Sequence, residues 1–219
     1  MKGAALEPIG DQGVMARFGQ EEEALAWAAA VRALAADWLL DVVGAYATVA
    51  VYHDRDRISL AELTRLLRSL LVDEGTAVVG TSHALPCCYE LGPDLERVAR
   101  HVGVSADEVA RLHAVAEYTV YAIGFCPGFP YLGYLSEPLC GVPRLESPRL
   151  RVEPGSVGLT GRQTGIYTEP RPGGWSLVGR TPLTLVDVAD GYFPLRVGDR
   201  VRFSRIDEAE FRRLLGQRL

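Results

Sequence analysis

The chain has 219 residues, 48% of them hydrophobic and 23% charged, with a net charge of −5, a globular composition with apolar residues enough for one large or two small domains. No apolar run approaches the ~20 residues of a membrane span, no signal-peptide core precedes Glu7 and Asp11, and a net negative charge without a basic cluster argues against nucleic acid as a partner. Residues 1–120 carry 22 alanines against 12 glycines plus prolines, whereas residues 121–200 carry two alanines against 23 glycines plus prolines, so two architectures are joined.

In chain order, residues 14–18 read as a short strand. Residues 21–36 read as a helix with acidic side chains at its positive N-terminal end. Residues 46–52 are β-branched and aromatic, hence strand. Ser59 and Glu62 form a capping box that opens a helix through Leu63, Leu66, Leu67 and Leu70, and residues 76–80 begin another strand. This pattern is that of a small α/β sandwich with helices on one face of its sheet. Residues 83–89 are extended and residues 93–101 helical. Ser105 and Glu108 then cap a helix to about residue 116, and residues 118–123 form a strand. Beyond them short apolar segments (157–159, 165–167, 176–179, 183–186 and 200–203) alternate with Gly/Pro turns, the pattern of a β-barrel or sandwich. The helical hairpin at 93–116 groups with this second part, which divides the chain into residues 1–82 and 83–219.

The densest polar stretch is Gly155-Ser156-Val157-Gly158-Leu159-Thr160-Gly161-Arg162-Gln163-Thr164-Gly165-Ile166-Tyr167. Glycine lets a backbone approach a ligand and expose its N–H donors, which suits a carboxylate or phosphate; the same glycines serve equally to turn barrel corners. It is not a P-loop, because no Gly-Lys-Ser/Thr follows and Lys2 is the only lysine. Gly124-Phe125-Cys126-Pro127-Gly128-Phe129-Pro130-Tyr131-Leu132 places aromatics in a stiff loop, as a wall for a planar ligand, an anchor for a partner or packing for the loop itself. Arg144, Arg149 and Arg151 bring guanidinium forks suited to anions or to surface pairs with Glu146 and Glu153. Pro172-Gly173-Gly174-Trp175 delivers a tryptophan as pocket wall or core plug. Among the histidines His83 is the best candidate base; His113 falls on a helix, and His53 and His101 read as surface positions. The four cysteines (Cys87, Cys88, Cys126 and Cys140) form no C-x-x-C pair and read as reduced thiols, and metal-ligand spacing is absent.

These strings, in this order, together with Gly179-Arg180-Thr181-Pro182 and, upstream, His83, Pro86, Tyr89 and Gly92-Pro93-Asp94-Leu95, resemble one family. It contains the B subunit of the bacterial ATP-dependent 5-oxoprolinase, the Kip-type inhibitor of a sporulation histidine kinase, and allophanate hydrolase subunit 1, one half of the carboxyltransferase domain of urea amidolyase. The resemblance implies an α+β protein, a small α/β sandwich followed by a cyclophilin-like β-barrel. It implies a cytoplasmic protein partnered by a homologous C subunit, with a separate A subunit in the same assembly, opening 5-oxoproline to glutamate with ATP and Mg²⁺. An unactivated lactam is a poor electrophile, and phosphorylating its carbonyl oxygen supplies a leaving group. The resemblance implies His83, Arg149 and Gln163 as catalytic residues, His83 being the acid/base candidate, with Arg149, Gln163 and Thr164 holding the anionic or amide part of the ligand. Tyr131, Tyr167 and Trp175 would wall the pocket, with Phe129, Arg144 and Ser156 as further binding residues, and the chain would carry neither a bound metal nor covalent biotin. Two other activities stay open: inhibition of a sensor histidine kinase through the barrel surface, and a carboxyltransferase half using carboxybiotin from another chain.

Overall fold

Backbone contacts divide the computed structural model, which describes residues 4–70 and 80–219, into two units, Met1–Val79 and Gly80–Leu219. Both mix helices and strands, as the α+β class requires. The strand expected from residue 76 lies outside the described residues.

In the first unit β1 (Ala5–Ile9), β2 (Gly13–Arg17), β3 (Leu39–Ala45) and β4 (Thr48–His53) pair antiparallel in the order β1-β2-β4-β3. Alternation sends Val14, Ala16, Val42, Val49 and Val51 to one face, where Trp27 and Val31 of α1 (Glu21–Ala33) and Leu63 and Leu67 of α2 (Leu60–Ser69) cover them. The Ser59 capping box forms in full: Ser59 Oγ accepts from the Glu62 amide at 3.3 Å while the Glu62 carboxylate accepts from the Ser59 amide at 3.1 Å. Neither β1 nor β3 is legible locally, because Glu7 and Pro8, or Asp41 and Gly44, interrupt their apolar pattern; the strands exist because β2 and β4 present edges to them. Tyr46, expected to open a strand, instead has φ 53° and belongs to the turn between β3 and β4. His53, expected at the surface, is fully buried on β4.

The second unit begins with β5 (Ser82–Cys87), which runs parallel to β13 (Arg200–Arg205). With β6 (Glu117–Ile123), β7 (Pro130–Gly133), β9 (Ser156–Thr160), β10 (Gln163–Ile166) and β12 (Ser176–Arg180), the order is β5-β13-β6-β7-β10-β9-β12. The edge strands β12 and β5 are joined by one antiparallel bridge, Cys88 with Arg180, whose N–H to O distances are 2.8 and 2.9 Å. A small separate pair, β8 (Arg149–Val152) and β11 (Arg171–Gly173), stands apart from this ladder. Residues 183–186, expected as a strand, make only the isolated bridge of Thr184 to Arg218, after Pro182 has ended the run.

α3 (Leu95–Val102), α4 (Ala106–Val115) and the closing α5 (Glu208–Leu214) complete the unit. Gly103 ends α3 with φ 78°, and Ser105 Oγ caps α4 by accepting from the Glu108 amide at 3.1 Å. The inner face of the sheet packs Leu85, Tyr118, Val120, Leu132, Leu159 and Ile166. His113 lies in this core rather than on a surface. Thr164 Oγ1 donates to the Gly158 carbonyl at 2.8 Å, so His113 Nε2 donates to Thr164 at 3.0 Å and His113 Nδ1 accepts from the Tyr89 hydroxyl at 2.8 Å. Among the described residues no helix is long and apolar enough to cross a membrane.

Candidate functional site

The glycine-rich stretch is not a loop but the antiparallel hairpin of β9 and β10, with Gly158 and Gly165 one in each strand and Gly155 and Gly161, at positive φ, just outside them. Across β7, β10, β9 and β12 the register aligns Leu132, Thr164, Leu159 and Ser176 in one row and Tyr131, Gly165, Gly158 and Leu177 in the next. The first row faces the core. In the second, the two glycines leave a trough on the opposite face, and aromatic rings occupy it. A Cβ on Gly165 would meet the Pro130 carbonyl at 2.8 Å, Phe129 Cζ at 2.9 Å and Trp175 Cζ3 at 3.0 Å; one on Gly158 would meet Trp175 Cβ at 3.2 Å. Gly158 and Gly165 thus seat the rings, while Gly155 and Gly161 turn the chain at the ends of the strands.

Above the trough is a cleft of ≈ 370 Å³, within the usual range for small-molecule sites. Its rings are Phe125, Phe129, Tyr131, Tyr167 and Trp175, its rims Pro148, Pro172, Gly173 and Gly174, and among the described residues Arg144 is the one charged side chain lining it. Phe129 sits at the centre, edge-on to Tyr131 at 4.9 Å, Tyr167 at 5.3 Å, Phe125 at 5.4 Å and Trp175 at 5.6 Å, the geometry ring quadrupoles prefer. Gly173 has no room for a side chain, since a Cβ there would lie 2.3 Å from the Tyr167 hydroxyl. Burial pushes the Tyr131 and Tyr167 phenols up, with Arg144 acting against it at both, so both stay protonated donors at neutral pH.

Helix α3 clamps the walls of this cleft. Asp94, at its N-terminal boundary and 7% exposed, accepts from Arg149 Nη2 at 2.7 Å and from the Leu177 amide at 2.7 Å, while its own amide donates to the Leu177 carbonyl at 2.9 Å. One turn on, Arg97 donates to Ser176 Oγ and to the Pro143 carbonyl. One face of a helix therefore fixes the residues next to Trp175, the residue before Arg144, and β8. Gly92 lets the chain lie against β12, where a Cβ would meet the Val178 carbonyl at 2.2 Å.

Of the residues singled out in the sequence, the structure brings Phe129, Tyr131, Arg144, Tyr167 and Trp175 together and leaves the others outside the cleft lining. His83 is held by Asp199 at 3.1 Å, and that carboxylate also accepts from the Thr81 and Arg196 amides. It stands at the start of β5, on the parallel pair with β13. Arg149 is committed to Asp94, and its Nη1 is buried without a hydrogen-bond partner. Thr164 is fully buried with its hydroxyl spent on Gly158 and His113, and Ser156 is buried on β9. Gln163 shares the outward face of Gly165 two residues along β10 but does not line the cleft. Thr164 lies outside the cleft because period two turns every second residue of a hairpin inward, whereas Ser156, two residues before Gly158, shares the outward face and still lies outside the lining. Phe125, Gly173 and the clamp residues Asp94 and Arg97 were not singled out. Phe125, Gly173 and Asp94 lay in strings already noticed, whereas nothing local marks an Arg on a helix as a support of a distant cleft.

The carboxyltransferase domain family, subdomains C and D, matches residues 4–193. The chain is 36% identical over 228 aligned residues to the B subunit of the 5-oxoprolinase of Bacillus subtilis (strain 168), covering 94% of each. It is 38% identical to the solved structure of TTHA0988, with a TM-score of 0.79, covering 90% of this chain but 40% of the other, so it spans less than half the length of that protein. The Kluyveromyces lactis urea amidolyase superposes with a TM-score of 0.74 at 18% identity over 97% of this chain and 15% of that one, a likeness of fold alone.

Proposed function

The chain belongs to the family of the carboxyltransferase domain, subdomains C and D, and from this premise we propose that it is the B subunit of an ATP-dependent 5-oxoprolinase. In this reading it works in the cytoplasm with a homologous C subunit and a separate A subunit. The second unit is then a cyclophilin-like barrel whose last ladder is reduced to the bridge of Cys88 and Arg180. The observation that carries the catalytic reading is the cleft. Residues of the family-like strings, scattered from 125 to 175, converge on one concave site with neutral phenol donors and a cation.

What this chain contributes follows from that geometry. The rings hold a small planar ligand and keep water from its faces, and the phenols orient a carbonyl by donating to it. The donor set does not fit ATP with Mg²⁺. Among the described residues the cleft offers one cation and no carboxylate, and no three His, Cys, Asp or Glu side chains are gathered as metal ligands. Nucleotide handling is therefore placed outside this cleft.

The test is co-expression with the A and C subunits and an assay of 5-oxoproline-dependent ATP hydrolysis. Turnover is expected from the complex and not from this chain alone. A complex that ignores 5-oxoproline but turns over an acyl-urea would move the protein to the amidolyase branch; kinase inhibition without turnover would make it a regulator.

A further inference from the structure

The geometry points to Arg144 as the residue that anchors the ligand's carboxylate in the cleft and so selects a carboxylate-bearing cyclic amide over an uncharged one. This rests on the proposed function and assigns a specificity residue within it.

The cations around the cleft are not equivalent. Arg97 is occupied by Ser176, Arg149 by Asp94, Arg151 by Glu153 at 2.6 Å and Arg171 by Glu169 at 2.8 Å. Arg144 lines the cleft and makes no hydrogen bond or ion pair among the described residues. Its positive charge acts on both cleft phenols, against the upward push of burial. Among the described residues no carboxylate lines the cleft to neutralise it, although the chain carries a net charge of −5. One open fork with flat walls suits a monoanion on a ring; a polyphosphate would ask for several cations. Pro148 and Pro172 stiffen the rims, so little order is lost on binding. The phenols, kept protonated by burial, are left to read the amide carbonyl.

Two probes that share a ring separate these roles: 5-oxoproline, and 2-pyrrolidinone, the same lactam without the carboxylate. Calorimetric titration into the full chain, and KM measurement in the complex, should show 5-oxoproline binding at least about tenfold tighter, the value of one charge-assisted contact. Arg144→Ala should erase that preference while leaving 2-pyrrolidinone binding unchanged, and Arg144→Lys should restore part of it. Tyr131→Phe, which keeps the ring, should weaken both ligands alike. The proposal is overturned if Arg144→Ala binds 5-oxoproline like the parent, if the parent does not discriminate, or if neither ligand binds to chain or complex. If the complex lacks 5-oxoproline-dependent ATP hydrolysis while Arg144 still discriminates, the enzyme assignment fails and the site stands. Turnover with a KM insensitive to Arg144→Ala means the reverse.

Discussion

Phe125 closes the mouth of the cleft, 57% exposed, in the left-handed region at φ 68°. That conformation costs a residue with a Cβ about 1–2 kcal/mol, and neighbouring contacts must hold it there. Two substitutions separate backbone from ring, since both remove the phenyl group and only one removes the strain. Phe125→Gly should be more stable than Phe125→Ala by about 0.5–1 kcal/mol in urea unfolding, the relief being partly offset by glycine's freedom in the unfolded chain. Both should weaken binding in the cleft equally. Equal stability of the two variants would show that the position is not strained. The same scale separates Arg144 from Arg149. They are identical in chemistry and five residues apart, and only the acid that each meets or lacks decides which one is open to a ligand.

Among the elements, α3 carries the site without touching it. Asp94 is nearly buried and satisfied three ways, by Arg149 and by both backbone groups of Leu177. Removing one partner of such a pair leaves the other poorly solvated, so Asp94→Ala should cost about 2–4 kcal/mol, below the fully buried range because the Arg149 side chain is 29% exposed. Trp175 lies two residues before Leu177, so ligand affinity should fall as well. Asp94→Asn, which keeps an acceptor for the Leu177 amide, should recover part of both losses. A stability loss under about 0.5 kcal/mol for Asp94→Ala would show that the helix does not hold the cleft walls. The hairpin of β9 and β10 works by a different rule, in which glycines stand where side chains would fill the trough.

For the molecule as a whole, the buried His113 links stability to pH. Burial pushes its imidazole down to about 3, and it stays neutral between Tyr89 and Thr164. In the unfolded chain histidine takes up a proton near pH 6.5. Between these values the unfolded state binds more protons, so stability falls as pH drops from about 6.5 toward 3, by about 1.4 kcal/mol per pH unit from this group. His113→Gln removes the effect: the loss of stability between pH 7 and pH 5 should be about 2 kcal/mol larger in the parent chain than in the variant. Identical losses would mean that His113 is not a neutral core group.

Much of this protein was legible before any tertiary contact was known. The Ser59 and Ser105 caps, the strands with clean alternation and the family strings are local, because capping hydrogen bonds and side-chain period depend on residues within one turn or one strand. The rings and Arg144 of the cleft were legible as well, since their strings carry the resemblance. The partners of polar groups were not. His83 meets Asp199, 116 residues away, Arg149 meets Asp94, 55 away, and Thr164 meets His113, 51 away. Sequence determined which residues are able to bind an anion or order a ring. Tertiary structure decided which remain free to do so, because a buried hydrogen-bonding group takes whatever partner the packing delivers, and only those without one are left for a ligand.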